Sequence, residues 1–122
     1  MHLLTRLSTV AAFAVLAGCA TQGAAPAGPP GKHLIYRDGS GQVIRQFDYP
    51  DDAFCRRVQA MAGRGARCEA ESAAAKTSAR ATLRYNPPGV VVHGHYADMA
   101  RCRADTSSMS PGVELVNGCT AQ

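Results

Sequence analysis

The feature that most constrains the fold is a repeat of the chain within itself, with cysteines at matching places. Residues 36–56 align with residues 83–103 at an offset of 47 positions (84 − 37), and seven of the 21 aligned positions are identical. Cys68 and Cys119 also align, after an insertion of four residues. We therefore expect two copies of one small unit. The identical pairs are Arg37/Arg84, Val43/Val90, Tyr49/Tyr96, Asp51/Asp98, Ala53/Ala100, Cys55/Cys102 and Arg56/Arg103.

Both halves predict the same order of elements: two strands, a helix and a third strand. A Gly-rich turn separates the first two strands in one half, and residues 86–89 form the turn in the other. Asp51 or Asp52 and Asp98 stand where helix N-caps are expected. The prediction is an α+β fold of two tandem ββαβ repeats, residues 33–71 and 81–121. Strands are expected at residues 33–37, 42–49, 66–71, 81–85, 90–96 and 113–119, and helices at 52–62 and 99–107.

The N-terminus has the parts of an export signal. Arg6 and His2 supply a basic start, residues 7–17 are uncharged and mostly apolar, and small residues precede Cys19. The apolar stretch is too short to span a bilayer, which needs about 20 residues. The sequence Leu-Ala-Gly-Cys at residues 16–19 resembles the lipobox of bacterial lipoproteins. The resemblance implies removal of residues 1–18 and lipid chains on Cys19, which anchor the protein to a membrane.

The same resemblance implies a location, because the residue after the lipidated cysteine is Ala20 rather than Asp. It implies sorting to the outer membrane, with the protein facing the periplasm. Two other interpretations stay open: an ordinary secretory signal cleaved near Ala20, and an uncleaved N-terminal anchor. Residues 19–32 are rich in Ala, Gly and Pro, which predicts a flexible tether. Residues 33–122 remain as one small domain, whose core is marginal without covalent links.

Four cysteines remain besides Cys19, and an even number in an exported chain indicates two disulfides. The alternative is a zinc site of four thiolates, but the spacings lack the close C-x-x-C pairs that such sites use. Since each repeat holds one pair, the duplication favours Cys55–Cys68 and Cys102–Cys119 over the two other pairings. Each bond would join a helix to the strand that follows it.

The charge of the chain is mildly positive, with 13 Lys and Arg against 9 Asp and Glu. Arginine dominates, with Lys32 and Lys76 as the two lysines of the mature part, and this composition is typical of a GC-rich genome. The functional alternative is attraction to anionic envelope polymers or lipid headgroups. Export and the absence of Trp speak against nucleic acid. The first helix and its exit are the most basic region, and a solvated helix face is the alternative explanation for it. The candidate binding residues there are Arg56, Arg57, Arg64 and Arg67.

His93 and His95 are candidate metal ligands, because residues two apart on a strand point to the same face. Two imidazoles suit Zn or Cu, and His33 is a conceivable third ligand. The alternative is a pair of exposed histidines on an edge strand. The first repeat has Gln46 and Asp48 at the matching positions, so the motif is not repeated. We expect no metal and no other cofactor.

No group of residues forms a convincing catalytic pattern, so we expect that the protein is not an enzyme. Candidate carboxylates suit helix caps better, the candidate serines lack a G-x-S-x-G turn, and the cysteines lack the C-x-x-C spacing of redox motifs. The residues considered are Asp51, Asp52, Asp98, Ser107, Ser108, Ser110, Cys55 and Cys102.

The expected function is that of a lipid-anchored envelope protein whose domain is a non-catalytic binding or accessory module. Its partner would be an envelope protein or an anionic envelope polymer, besides the membrane itself. The alternative is an inhibitor-like module whose turns at residues 39–41 and 86–89 insert into the cleft of a protease or lysozyme. A metal-handling role through His93 and His95 is a third possibility.

Overall fold

The computed structural model describes residues 31–122, which form a six-stranded antiparallel sheet and two helices. The signal segment, Cys19 and most of the tether lie outside the described residues. Neither helix in the described part is long and apolar enough to cross a membrane. The elements are β1 (His33–Arg37), β2 (Val43–Asp48), α1 (Asp52–Ala62), β3 (Ala66–Glu69), β4 (Ala79–Tyr85), β5 (Val90–Tyr96), α2 (Met99–Thr106) and β6 (Val113–Ala121).

The strands lie in the order β3-β1-β2-β5-β4-β6, so the three strands of each half are neighbours. The halves meet where β2 pairs with β5, and at this seam Phe47 lies opposite Gly94. The expected α+β class is confirmed. The sequence left open whether the halves share a sheet, and the structure shows a single sheet.

Both helices lie on one side of the sheet, which we call the helix face. Cys55 of α1 is bonded to Cys68 of β3, and Cys102 of α2 is bonded to Cys119 of β6. The Cα atoms of each pair are 6.0 Å apart. Both predicted disulfides are therefore confirmed, and each fixes the first turn of a helix against an outer strand.

Aspartate caps begin both helices, as predicted. Asp51 Oδ1 accepts a hydrogen bond from the backbone N–H of Phe54 at 2.7 Å, and Asp98 Oδ1 accepts from that of Arg101 at 2.8 Å. These bonds satisfy backbone donors that a helix cannot pair internally. Asp52 lies in the first turn of α1 and pairs with Arg56. The structure therefore gives all three carboxylates a structural role.

Three strand ends differ from the prediction by two residues: β3 ends at Glu69 rather than at residue 71, β4 begins at Ala79 rather than at residue 81, and β6 ends at Ala121 rather than at residue 119. Ala79 is completely buried and pairs with both Tyr96 and Ala121, which also extends β6 beyond residue 119. The linker between the halves is therefore residues 70–78 rather than residues 72–80. It passes the face opposite the helices, where buried Gln46 accepts a hydrogen bond from the backbone N–H of residue 73.

The loop before β6 is pinned to the β4–β5 turn through Gly112. The Asn86 N–H donates to the Gly112 carbonyl at 2.7 Å, and a Cβ added at Gly112 would lie 2.8 Å from the Asn86 carbonyl oxygen. Gly112 has φ +88°, a conformation that side chains disfavour. Gly41 has nearly the same φ, +87°, but open space around its Cβ position.

We expect Gly112→Ala to lower the free energy of unfolding by about 3 kcal/mol, and Gly41→Ala by about 1 kcal/mol. Both variants suffer the unfavourable φ, but only the first forces apart the turn and the loop. Urea unfolding followed by circular dichroism measures both losses. Equal losses would contradict the contact between Gly112 and Asn86.

Candidate functional site

A groove of about 300 Å³ lies on the helix face beside α2. Four aromatic rings from four different strands line it, those of Tyr36, Phe47, Tyr85 and Tyr96. We call this cavity the aromatic groove. Its other lining residues are Arg45, Leu83, Ala104, Asp105, Ser108, Met109, Ser110 and Val113.

Two rings of the aromatic groove are held edge to face against Phe47. The Phe47 ring centroid is 5.9 Å from that of Tyr36 and 6.1 Å from that of Tyr96, with both pairs close to perpendicular. Such contacts stabilise aromatic pairs beyond their buried area. Phe47 itself is only partly buried, so its ring remains available to a ligand.

The absence of a side chain at Gly94 makes room for these rings at the seam. A Cβ there would lie 3.0 Å from the Tyr96 hydroxyl oxygen and 3.3 Å from the Phe47 ring. Aromatic rings that cover a strand glycine in this way also fix the register of a sheet. The seam therefore positions the centre of the groove.

An ion pair lies at one end of the aromatic groove. Arg45 donates to Asp105 at 2.9 Å, and its guanidinium carbon lies 4.3 Å from the centroid of the Tyr36 ring. The side chains of Arg45 and Asp105 are each 33% exposed, so both charges reach solvent. Because guanidinium has five N–H donors and Asp105 engages one of them, this end offers hydrogen bonds to a ligand.

The tyrosines of the groove are neutral at physiological pH. Burial raises the pKa of Tyr96 to about 12, and burial also raises the pKa of Tyr36 and that of Tyr85. The Tyr85 hydroxyl lies 3.0 Å from the Tyr49 hydroxyl. Neutral hydroxyls both donate and accept hydrogen bonds, so the groove combines apolar rings with polar edges.

On the opposite face, one carboxylate joins two histidines across the seam. Asp48 Oδ1 lies 2.6 Å from His33 Nδ1, and Asp48 Oδ2 lies 2.9 Å from His95 Nε2. Gln46 donates to the same carboxylate at 2.7 Å. Hydrogen bonds from His95, His33 and Gln46 outweigh the effect of burial and hold the pKa of Asp48 far below its usual range.

His95 has an acceptor at both ring nitrogens. Its Nδ1 lies 2.7 Å from Gln122 Oε1, and the Gln122 amide nitrogen donates to Thr77 Oγ1 at 2.7 Å, which fixes the orientation of that amide. Only the doubly protonated ring donates to both Gln122 and Asp48. The hydrogen bond to Asp48 accordingly raises the pKa of His95.

Of the two histidines predicted as metal ligands, one is therefore already occupied by hydrogen bonds within the protein. His93 and His95 do share a face of β5, but both nitrogens of His95 are already hydrogen-bonded, and His93 is exposed. Within residues 31–122, no three His, Cys, Asp or Glu side chains are arranged to hold a metal ion. The structure therefore offers no support for the metal-handling interpretation.

The four candidate arginines of the first repeat do not form one patch. Arg56 pairs with Asp52, and Arg57 lies over the ring of Phe54, both on α1. Arg64 follows α1 in the turn before β3. Arg67 neighbours Cys68, which bonds to α1, so Arg67 points to the opposite face of the sheet. These candidate binding residues therefore lie on two sides of the molecule.

The structure also shows where the candidate serines and the two hairpin turns lie. Ser108 and Ser110 line the aromatic groove, whereas Ser107 ends α2. The turns at residues 39–41 and 86–89 precede β2 and β5, which run antiparallel. The two turns therefore lie at opposite ends of the sheet, and a single narrow cleft does not accommodate both.

No family model, curated protein or solved structure matches this chain.

Sequence reasoning missed the aromatic groove and Asp48 as a site residue. Phe47 and Tyr49 alternate with Gln46 and Asp48 along β2, but each face of this strand carries both apolar and polar residues, so the alternation does not tell which face is buried. Asp48 and His95 occupy matching positions at the offset of 47 residues, and the seam brings these matching positions together. The alignment marks the two residues as equivalent but does not predict that they touch, because the contact depends on how the two halves pair.

Proposed function

We propose that this chain is a lipid-anchored, non-catalytic binding module of the bacterial envelope. Cys19 holds it on the outer membrane, facing the periplasm, and the aromatic groove takes a short segment of a partner protein. The lipobox-like sequence supports the anchor, and the groove supports the binding role. Both Asp48 oxygens and both His95 nitrogens are hydrogen-bonded within the protein, which supports a structural role for this pair.

The anchor is tested by labelling. Cells that produce the full chain and are fed labelled palmitate should incorporate the label into wild type and into Ala20→Ser, but not into Cys19→Ser. The lipid requires the Cys19 sulfur, whereas Ala20 affects only sorting. Absence of label from wild type would refute the lipid anchor and favour an ordinary signal or an uncleaved anchor, and label that persists in Cys19→Ser would place the lipid on another residue.

The observation that carries the binding role is the composition of the aromatic groove. Aromatic residues, Met and Arg are enriched in the centres of protein interfaces. The groove supplies all three, with Phe47, Met109 and Arg45 among its lining residues. Its volume of about 300 Å³ is at the small end for ligand pockets. It therefore suits one or two side chains of a partner, an apolar one over Phe47 and a charged or polar one beside Arg45.

Two methionines provide a matched test of this role. Met109 lines the groove, whereas Met61 is 80% exposed near the end of α1 and lies outside it. Crosslinking of the full chain in living cells, followed by mass spectrometry, should capture one dominant envelope protein. Met109→Gln should reduce that adduct about tenfold, because a polar amide is placed against the rings, and Met61→Gln should leave it unchanged. Equal yields from both variants would contradict the role of the groove.

We propose that the two halves of the domain are a tandem duplication of a ββαβ unit. The seam supports it: Phe47 and Gly94 are matching positions and lie opposite each other, and the pair Gln46–His95 corresponds to the pair Asp48–His93. Exchanging the two halves therefore leaves the register unchanged. The N-caps at matching positions, Asp51 and Asp98, also support the duplication.

The duplication is tested by reversing the order of the halves. A chain that places residues 79–122 before residues 31–69, joined by a linker as long as residues 70–78, should fold with both disulfides. If the two halves are equivalent, a linker from the end of β6 to the start of β1 covers the same path as the natural linker from the end of β3 to the start of β4. A reordered chain that fails to form either disulfide would contradict the equivalence.

A further inference from the structure

A bulge between β4 and β6 opens a second cavity on the face opposite the helices. Arg80 pairs with Thr120 and Thr82 pairs with Asn117, so one residue of β4 lies opposite two residues of β6. The β1–β3 ladder of the other half has no such shift, running regularly from His33 to Tyr36. The cavity measures about 510 Å³, and a Cβ at Gly118 would meet no atom within 4 Å.

The lining of this cavity is cationic and rich in hydrogen-bonding groups. Its side chains are a guanidinium, two hydroxyls and an amide, from Arg80, Thr82, Thr120 and Asn117. The lining contains no carboxylate, and Arg80 takes part in none of the ion pairs formed within residues 31–122. Arg80 therefore presents an uncompensated charge to whatever enters.

The neighbouring strand β5 places no carboxylate opposite the residues of β4 that line the cavity. On β5, His95 lies opposite Arg80 and His93 lies opposite Thr82. Two carboxylates on this face are already engaged: Asp48 of β2 binds His33 and His95, and Glu114 of β6 faces Arg84. An anion at Arg80 thus gains attraction without competing for an existing partner.

The number of donors selects the kind of anion. The cavity offers donors from four side chains: a guanidinium, two hydroxyls and an amide. A carboxylate has only two oxygens to accept from them, whereas a phosphate group has three or four. Planar guanidinium also binds two phosphate oxygens at once. The cavity is larger than a phosphate ion, which leaves space for an attached organic group. We infer that the Arg80 cavity is a binding site for a phosphate ester.

This site is separate from the aromatic groove and does not depend on it. Arg80 lies between Ala79 and Ala81, which pack under α2 on the helix face, so its side chain points to the other face. Two sources supply the ligand chemistry: the headgroup of a phospholipid and a soluble phosphomonoester. The test therefore includes both.

Calorimetric titration of the full chain, in a maltoside detergent without phosphate, tests the site. Glycerol 3-phosphate and short-chain phosphatidylglycerol are the two ligands, and the matching diacylglycerol without phosphate is the blank. Arg80→Gln should weaken binding of the tighter ligand at least about tenfold, and Thr120→Val should weaken it less. Arg103→Gln, an exposed arginine of α2, is the matched control and should bind like wild type.

Tighter binding of the lipid would assign the site to a headgroup, and tighter binding of glycerol 3-phosphate would assign it to a soluble ester. Either result supports the site only if Arg80→Gln no longer binds one of the two ligands more tightly than the other. The thermal unfolding of Arg80→Gln must also match that of Arg103→Gln, which shows that the variant is folded. Absence of saturable binding by both ligands would overturn the inference. Equal weakening in Arg80→Gln and Arg103→Gln would overturn it as well, since it indicates general attraction to positive charge.

Discussion

Replacing Cys55 and Cys68 together by alanine should lower the free energy of unfolding by about 3 kcal/mol, a large share of the stability of a small domain. The bond closes a loop with a sequence separation of 13 residues. Its loss frees the unfolded chain and also removes packing, because Cys55 is completely buried among Leu34, Tyr49 and Leu83. Urea unfolding followed by circular dichroism at fixed pH measures the change.

The second disulfide gives the matched comparison. Cys102 and Cys119 are separated by 17 residues, and loop entropy rises only slowly with length, so their replacement should cost about the same. Removal of both bonds should leave the chain largely unfolded at 37 °C. A loss below about 1 kcal/mol for each pair would contradict the view that this core depends on covalent links.

Asp48→Asn should lower the free energy of unfolding by about 2–3 kcal/mol near pH 5.5, and by less near pH 8. The substitution removes the one carboxylate that pairs with His33, His95 and Gln46. Since the side chain of Asp48 is only 22% exposed, solvent compensates little for the loss.

The pH dependence follows from the directions of the two pKa shifts. The pKa of His95 is raised, so its contribution is complete below the ordinary histidine value of about 6.5 and is lost as pH rises through the raised value. The pKa of Asp48 is lowered, so its contribution is complete above about 3.9 and is lost as pH falls. Both contributions are present together between about pH 4 and pH 6.5.

Urea unfolding of wild type, Asp48→Asn and His95→Gln at pH 5.5 and pH 8 tests this window. Wild type should lose stability between the two values, and both variants should lose less. Asp105→Asn is the control, because the pair of Asp105 with Arg45 is a third exposed and is worth at most about 1 kcal/mol. The same pH dependence in wild type and Asp48→Asn would show that this network does not couple stability to pH.

Local features of this fold were predictable because they repeat at a fixed offset. The matching cysteines indicated the disulfide pairing, and the aspartates at matching positions indicated the two helix starts. The β2–β5 seam was not predictable, because alternation along β2 left the buried face undecided and pairing between distant strands leaves no local pattern. The aromatic groove and the contact of Asp48 with His95 both depend on this seam.

The Arg80 cavity was hidden for a different reason. It arises where β6 contains more residues than β4 opposite it, between Asn117 and Thr120. The alignment of Cys68 with Cys119 shows an insertion of four residues in the second half. It does not show how many of the four lie in the loop before β6 and how many lie in β6 itself. Bulges depend on strand pairing, so the sequence of one strand does not reveal them.

Site-specific photocrosslinking of the full chain in living cells tests the central claim, that the aromatic groove is where a partner binds. A photoreactive amino acid is placed at Ser108 in the groove, and separately at Ser40 and Pro88 in the two hairpin turns. We expect one dominant protein adduct from Ser108 and none of comparable yield from the turns. An adduct from Ser40 or Pro88 with none from Ser108 would contradict it and favour an inhibitor that acts through a turn.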